Sequence, residues 1–295
     1  MTLAFGKLNS SAVLAGFLVF SQGTALAQSI PPAIFTDPPP DKAHPAKMTV
    51  VHIPTHGLLI NGVVYQASGA GLHPTIVICH GLPGNEKNLD LAQAARRAGW
   101  NAVTFNYRGS WGSPGNFRFA QNLEDGAAVL DYLRTPSTNA AALGIDTHKI
   151  VLAGHSMGGW VTAMTASKDP ALAGAILISA ADMGRTGGTR EQLVANMADD
   201  MESLAGATPQ TMADEITANA KVFSITNAAP GLAKLPLLVI TSDDGLAPAA
   251  TVLVKAIEAQ GGKNVKTAHF VTDHSYSDHR IALESAVLEW LAGLK

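Results

Sequence analysis

The stretch Lys149-Ile150-Val151-Leu152-Ala153-Gly154-His155-Ser156-Met157-Gly158-Gly159-Trp160 decides the fold. Lys149–Leu152 reads as a short apolar strand, an apolar helical pattern runs on from Trp160, and Gly154-x-Ser156-x-Gly158 stands between them. A serine on so sharp a turn carries a strained backbone, and glycines two residues to either side leave room for the adjoining strand and helix. Ser156 should project from the carboxyl edge of a sheet, with the helix behind it presenting the amide of Met157. The alternative, a glycine-rich turn that happens to contain serine, is weakened by the strand–turn–helix placement.

Working outward, the same alternation recurs. Apolar runs at Thr75–Cys79, Ala102–Phe105, Lys149–Leu152, Ala175–Ser179, Leu237–Thr241 and Thr267–Val271 predict buried strands, and Met48–Ile53 and Gly57–Tyr65 predict two more ahead of them. Helical spacing separates the runs: Ala249, Val252, Leu253, Ala256 and Ile257 share one face until Gly261-Gly262, and Leu283, Val287, Trp290 and Leu291 share another. Continuous apolar strands divided by amphipathic helices imply an α/β fold, a mostly parallel sheet covered on both faces. Residues 183–234 break the alternation with two helix starts, Thr189-x-x-Gln192 and Thr208-Pro209, and predict a helical cap inserted into a core of residues 48–182 and 235–295. Met183, Met197, Met201 and Met212 lie in that cap, either lining an adaptable apolar pocket or packing a small helical subcore.

Composition narrows the function. The chain has 295 residues with 20 Lys and Arg against 23 Asp and Glu, and charged residues make up only 15%, which argues against a polyanion-binding surface and against nucleic acid as a partner. With 47% hydrophobic residues it is too apolar for disorder. Lys7, the apolar run Ala12–Phe20 and Ala25-Leu26-Ala27 follow the order of a secretory signal peptide, so residues 1–27 are expected to be removed, leaving a periplasmic or extracellular chain that begins at Gln28. The nine-residue run is too short for a membrane anchor, and no later segment is long enough to span. Prolines 31, 32, 38, 39, 40 and 45 make residues 28–47 an extended arm. A lone Cys79 forms no internal disulfide.

A serine hydroxyl attacks poorly unless a base takes its proton, and the base needs a third group to orient it. Two later loops follow carboxyl ends of strands, where open α/β sheets gather ligands: Ser242-Asp243-Asp244-Gly245-Leu246-Ala247-Pro248 and Thr272-Asp273-His274-Ser275-Tyr276-Ser277. They offer Asp243, Asp244 and His274; Asp182 and His279 remain alternatives.

In these pieces the chain resembles the α/β-hydrolase superfamily from about residue 48 to 295. It is most similar to small serine hydrolases of the dienelactone-hydrolase, prolyl-oligopeptidase-like and serine-aminopeptidase type. The resemblance rests on His80-Gly81-Leu82-Pro83-Gly84, Tyr107-Arg108-Gly109, Ser113-Pro114-Gly115, the Ser156 turn, Asp244-x-x-x-Pro248 and His274-Ser275-Tyr276. It implies a triad of Ser156, Asp244 and His274, the acid standing four residues before a proline and the base before a small residue and an aromatic. It also implies an oxyanion hole from the amides of Leu82 and Met157, a structural salt bridge from Arg108, and a His155 pointing away from the nucleophile. Dienelactone hydrolases proper carry cysteine where this chain has Ser156, and Cys79 reads as a small buried hydrophobe. Trp111, Phe117 and Phe119 could border the acyl pocket or simply pack. His52 and His56 sit in strand and turn, so no metal site is expected, and with no phosphate loop or dinucleotide fingerprint no cofactor is inferred. The expectation is an exported serine hydrolase acting on a small ester, lactone or short peptide, carboxylic esters first. A serine aminopeptidase or prolyl-type peptidase and a non-catalytic binding protein are the competing readings, and oligomeric state is left open.

Overall fold

Alternation along the strands explains the layers. In the computed structural model, residues 30–135, 140–185 and 188–294 are described, and the expected signal segment 1–27 lies outside them. All eight apolar runs become strands: β1 (Lys47–Thr55), β2 (Leu58–Gln66), β3 (His73–Cys79), β4 (Asn101–Phe105), β5 (Ile145–His155), β6 (Gly174–Ile178), β7 (Leu237–Ser242) and β8 (Val265–Phe270). They form one sheet in the order β1-β2-β4-β3-β5-β6-β7-β8. β1 and β2 are antiparallel and joined through His56-Gly57, whose φ values of 45° and 79° suit the two-residue hairpin turn that requires both central residues left-handed. β2 runs antiparallel to β4, and every later pairing is parallel.

Odd and even residues serve opposite faces. Ile150 and Leu152, Ala175 and Leu177, and Leu237 and Val239 enter one core; Val151 and Ala153, Ile176 and Ile178, and Leu238 and Ile240 enter the other. Each fully buried aliphatic side chain of this kind contributes about 1.5–3 kcal/mol, so both faces must be covered. Helices α1 (Leu89–Arg97) and α8 (Arg280–Ala292) cover the second face through Leu91, Ala94, Leu283, Val287 and Leu291. Helices α2 (Phe119–Arg134), α3 (Met157–Ala166) and α7 (Ala247–Ala259) cover the first through Leu130, Trp160 and Leu253.

Between β6 and β7 the chain forms α4 (Arg190–Met197), α5 (Pro209–Phe223) and α6 (Ala229–Leu232). Both expected N-termini hold: Thr189 and Gln192 make a reciprocal capping box, and Thr208 caps α5 with Pro209 at its first position. Met212 and Met183 are buried in the main core and Met197 and Met201 pack against it, so the four methionines form a subcore continuous with the sheet's own. The Trp160 indole donates to the Phe223 carbonyl at 2.7 Å, tying α5 to α3.

The proline-rich arm departs from a simple extended leader. Its start forms a short turn at Pro32–Ile34, and Arg97 donates to the Ile34 carbonyl at 2.8 Å, because Ala33 and Ile34 find apolar cover against the second core. No helix among the described residues is long and apolar enough to cross a membrane.

Candidate active site

The turn after β5 places Ser156 at φ 59°, ψ −122°, a conformation rare outside glycine. Neighbouring strands hold it there: the Ser156 amide donates to the Ile178 carbonyl at 2.9 Å, and its carbonyl accepts from the amides of Ala181 at 2.9 Å and Gly159 at 3.0 Å. The flanking glycines are obligatory for contact reasons. A Cβ on Gly154 would lie 2.0 Å from the Gly158 carbonyl oxygen, and one on Gly158 would lie 2.1 Å from that of Cys79. Burial pushes the Cys79 thiol up to about 12, which keeps it a protonated, inert packing group.

Loops after β7 and β8 bring the candidate acid, Asp244, and the candidate base, His274, together. His274 Nδ1 lies 2.7 Å from Asp244 Oδ2, while Asp244 Oδ1 accepts from the Leu246 amide at 2.9 Å. A carboxylate can only accept, so the imidazole proton sits on Nδ1 and the Nε2 lone pair is left for another donor. The Asp244 side chain is 3% exposed and that of His274 38%. Burial pushes the Asp244 carboxyl up, but hydrogen bonds from His274, the Leu246 amide and the hydroxyls of Ser179 and Ser242 outweigh it, holding the group below its ordinary value and ionised. Those hydroxyls belong to a buried cluster in which Ser179 Oγ meets Ser242 Oγ at 3.0 Å and the Tyr276 hydroxyl at 2.9 Å. Ser179 and Tyr276 both have positive φ, 40° and 57°, so backbone strain gathers beneath the acid as well as at the serine.

The His274 ring reaches the serine's neighbourhood by packing on His155, with centroids 4.6 Å apart. Among the described residues no hydrogen bond joins Ser156 Oγ to His274 Nε2, a contact that in such sites tightens when substrate arrives. The alternatives lie elsewhere. Asp182 accepts from the amides of Gly184 and Ile225 at 3.0 and 2.9 Å, Asp243 meets His269 at 3.1 Å on the surface, and His279 pairs with Asp278.

Gly81 sets the other wall. A Cβ there would stand 3.0 Å from Ser156 Cβ, so the His80-Gly81-Leu82 backbone lies directly against the nucleophile candidate. Met157 follows the serine and Leu82 follows Gly81, and neither amide has a hydrogen-bond acceptor among the described residues. Two donors grip the next carbonyl: Pro83 O accepts from Trp111 Nε1 at 2.7 Å and from Ser203 Oγ at 3.3 Å. His80 Nδ1 donates to the Gly81 carbonyl at 2.7 Å, and burial lowers its pKa to about 4, so it stays neutral. Arg108 makes the expected buried bridge, with Nε 2.7 Å from Asp125 Oδ1, which also accepts from Thr55.

Of the three aromatic residues that could border a pocket or pack, two pack. Phe117 and Phe119 are 1% and 0% exposed and stack edge to face at 5.3 Å inside the main core, because the loop before α2 turns both rings inward and closes over them through the hydrogen bond from the Phe117 amide to the Ala205 carbonyl. Only Trp111 reaches a surface. It edges a cavity of about 530 Å³ with Pro83, Asn85, Glu202 and Ser203, its face lying 4.2 Å from Lys87 Nζ and its N–H committed to Pro83. Sequence reasoning missed Ser203, the hydroxyl cluster and the inward packing of His155; a buried hydroxyl ending an apolar strand, as Ser179 and Ser242 do, was the available signal. Among the described residues no group of three or more His, Cys, Asp or Glu side chains is placed to hold a metal ion.

A family model described as the alpha/beta hydrolase family matches residues 76–275, from within β3 through the Ser156 turn and Asp244 to just past His274. The chain belongs to that family. Solved structures share the α/β-hydrolase fold at low identity. A thermophilic carboxylesterase cloned from a metagenomic library is 22% identical with a TM-score of 0.62, covering 85% of this chain and 91% of its own. An esterase from Pyrobaculum calidifontis is 21% identical at 0.63, with 86% of each chain covered. Est1E from Butyrivibrio proteoclasticus with ferulic acid bound is 18% identical at 0.63, covering 83% and 98%. No curated protein matches the sequence. Like other members of the α/β-hydrolase family, this chain gathers its polar groups at the carboxyl edge of a parallel sheet, where the pleat ends and side chains are free of the ladder.

Proposed function

We propose that the chain is a serine hydrolase that cleaves carboxylic esters through an acyl-enzyme on Ser156. His274 Nε2 takes the hydroxyl proton as Ser156 Oγ attacks the ester carbonyl, and the alkoxide leaves with that proton. Asp244 keeps the ring in the required tautomer and stabilises the imidazolium that forms. The free amides of Leu82 and Met157 receive the oxyanion, each such donor contributing about 3 kcal/mol of barrier lowering. Water, deprotonated by the same imidazole, then releases the acid.

One observation carries this reading: a buried, ionised Asp244 holds His274 through Nδ1 while the ring packs on the residue next to a strained serine. Esters rank ahead of amides because the neighbours just described are named as esterases, and an amide would demand efficient protonation of a poor leaving group. The pattern of Lys7, Ala12–Phe20 and Ala25-Leu26-Ala27 supports export with cleavage after Ala27.

Fluorophosphonate labelling located by mass spectrometry, beside a panel of p-nitrophenyl esters and of aminoacyl and prolyl anilides, tests the proposal. An adduct on Ser156 and ester turnover above anilide turnover are expected. An unlabelled Ser156 in folded protein would overturn the enzyme reading in favour of a binding protein, and faster anilide turnover would move the assignment to a peptidase.

A further inference from the structure

The residue just before the serine is spent in an unusual way. His155 is 3% exposed, and its Nε2 lies 2.8 Å from the main-chain carbonyl of His274. A carbonyl can only accept, so Nε2 carries the proton and Nδ1 is left as a lone pair, buried and without a partner among the described residues. The two imidazoles lie 4.6 Å apart at 38°, and Tyr276 stands edge-on to His155 at 6.5 Å. A solvated or packing histidine would not be expected to have its single N–H aimed at the backbone of a residue 119 positions along the chain.

From this geometry we infer that His155 is a positioning residue for His274, setting the distance between base and nucleophile. The assignment rests on the serine-hydrolase reading above. Ser156 is the covalent neighbour of His155, so one hydrogen bond ties the backbone that carries the nucleophile to the backbone that carries the base. Asp244 fixes the rotation of the His274 ring, whereas His155 fixes where its main chain stands and supports the ring's face. Such support matters because the His274 side chain is 38% exposed and its loop lies beyond the end of β8, outside the ladder. The tie also works only while His155 is neutral: a charged ring would face the imidazolium that forms at each turnover. Its surroundings meet that condition. Burial first, and the nearby His274 ring second, lower the pKa of His155 to about 4, with Arg280 acting in the same direction, and they outweigh the hydrogen bond to the His274 carbonyl and the Asp244 charge, which oppose.

Two substitutions separate the hydrogen bond from the packing. His155→Phe keeps a ring against His274 but removes the donor; His155→Gln removes the ring but can place an amide N–H near the position of Nε2. Displacing a catalytic group by about 1 Å costs about 10²-fold. His155→Phe should therefore lower kcat and the rate of fluorophosphonate labelling at Ser156 by about 10–100-fold, with KM changed less than about 3-fold, while His155→Gln recovers most of both rates. A purely structural role would instead lower the melting temperature of both variants and leave the activity of the folded fraction unchanged. Native labelling rates in His155→Phe, or equal impairment in His155→Gln, would overturn the assignment while leaving the serine-hydrolase reading intact. Absence of Ser156 labelling in the native chain would overturn that reading and this one with it.

Discussion

Replacing Asp244 by asparagine tests the site most sharply, because the two carboxylate oxygens have separate partners. Oδ1 accepts from the Leu246 amide at 2.9 Å and Oδ2 from His274 Nδ1 at 2.7 Å. The Leu246 N–H can only donate, so the carbonyl of an asparagine takes the Oδ1 place and its NH2 faces the imidazole. Two donors then meet unless the ring shifts its proton to Nε2, and that tautomer presents no lone pair to Ser156. The expected loss in kcat is about 10⁴-fold, or about 5.4 kcal/mol at 1.36 kcal/mol per factor of ten. The fault lies in the tautomer, so raising the pH should not restore the rate. Asp244→Asn is nearly isosteric and replaces a buried charge by a neutral amide, so the melting temperature should move by only a few degrees. Steady-state hydrolysis of p-nitrophenyl butyrate from pH 6 to 9 measures the effect, with two controls. Asp243→Asn alters a surface group paired with His269, and Asp182→Asn can still accept from Gly184 and Ile225, so both should stay within about threefold of the native rate. More than a tenth of native activity in Asp244→Asn, or an equal loss in Asp182→Asn, would refute the argument.

Three further outcomes follow from the same structure. Trp111→Phe removes one of the two donors on the Pro83 carbonyl, next to the Leu82 amide, and should lower kcat by about 2–10-fold, the range of a net hydrogen bond of about 0.5–1.5 kcal/mol, with the melting temperature down by no more than a few degrees; thermal scans beside kinetics check it. Phe119→Ala empties a fully buried site and should cost about 3–5 kcal/mol in a urea titration without changing acyl-chain preference, in contrast to what a pocket-lining residue would do. Glu284 is buried beside Asp90, and burial first, with the Asp90 charge second, raises its pKa to about 7 from an ordinary 4.5. The folded chain therefore binds this proton more tightly than the unfolded one, so the stability it contributes is full below about pH 4.5 and is lost as pH rises through 7. Glu284→Gln should be more stable than the native chain at pH 8, on the order of 2 kcal/mol, with the gap closing by pH 5; denaturant titrations at the two values measure it.

The strands were legible because each is a local pattern. A run such as Ile150–Ala153 is apolar at every position since both faces of a parallel sheet are covered, and no distant residue is needed to see that. The turn at Ser156 was legible for a similar reason: its glycines are demanded by backbone contacts only a few ångströms away. Aromatic placement was not legible. Phe117 and Phe119 follow a strand end just as pocket residues do, and their inward turn depends on Ala205, nearly ninety positions on, closing over the loop. Nor could spacing decide the methionines, whose burial depends on α4 packing on α5 and on α5 being tied to α3 through Trp160 and Phe223.

The amino-acid sequence by itself determined an α/β sheet of eight strands, a serine held on a glycine-flanked turn, and an insertion of helices between the sixth and seventh strands. The family resemblance singled out Asp244 through its spacing to Pro248, but only the tertiary structure brings its carboxylate to 2.7 Å from His274 Nδ1, lets His155 grip the His274 backbone, and sets Trp111 and Ser203 on Pro83. The division has a physical cause. Periodicity and turn chemistry act over a few residues and are written into neighbouring letters, whereas a hydrogen bond between loops depends on where separate strands end, which the packing of the whole sheet sets.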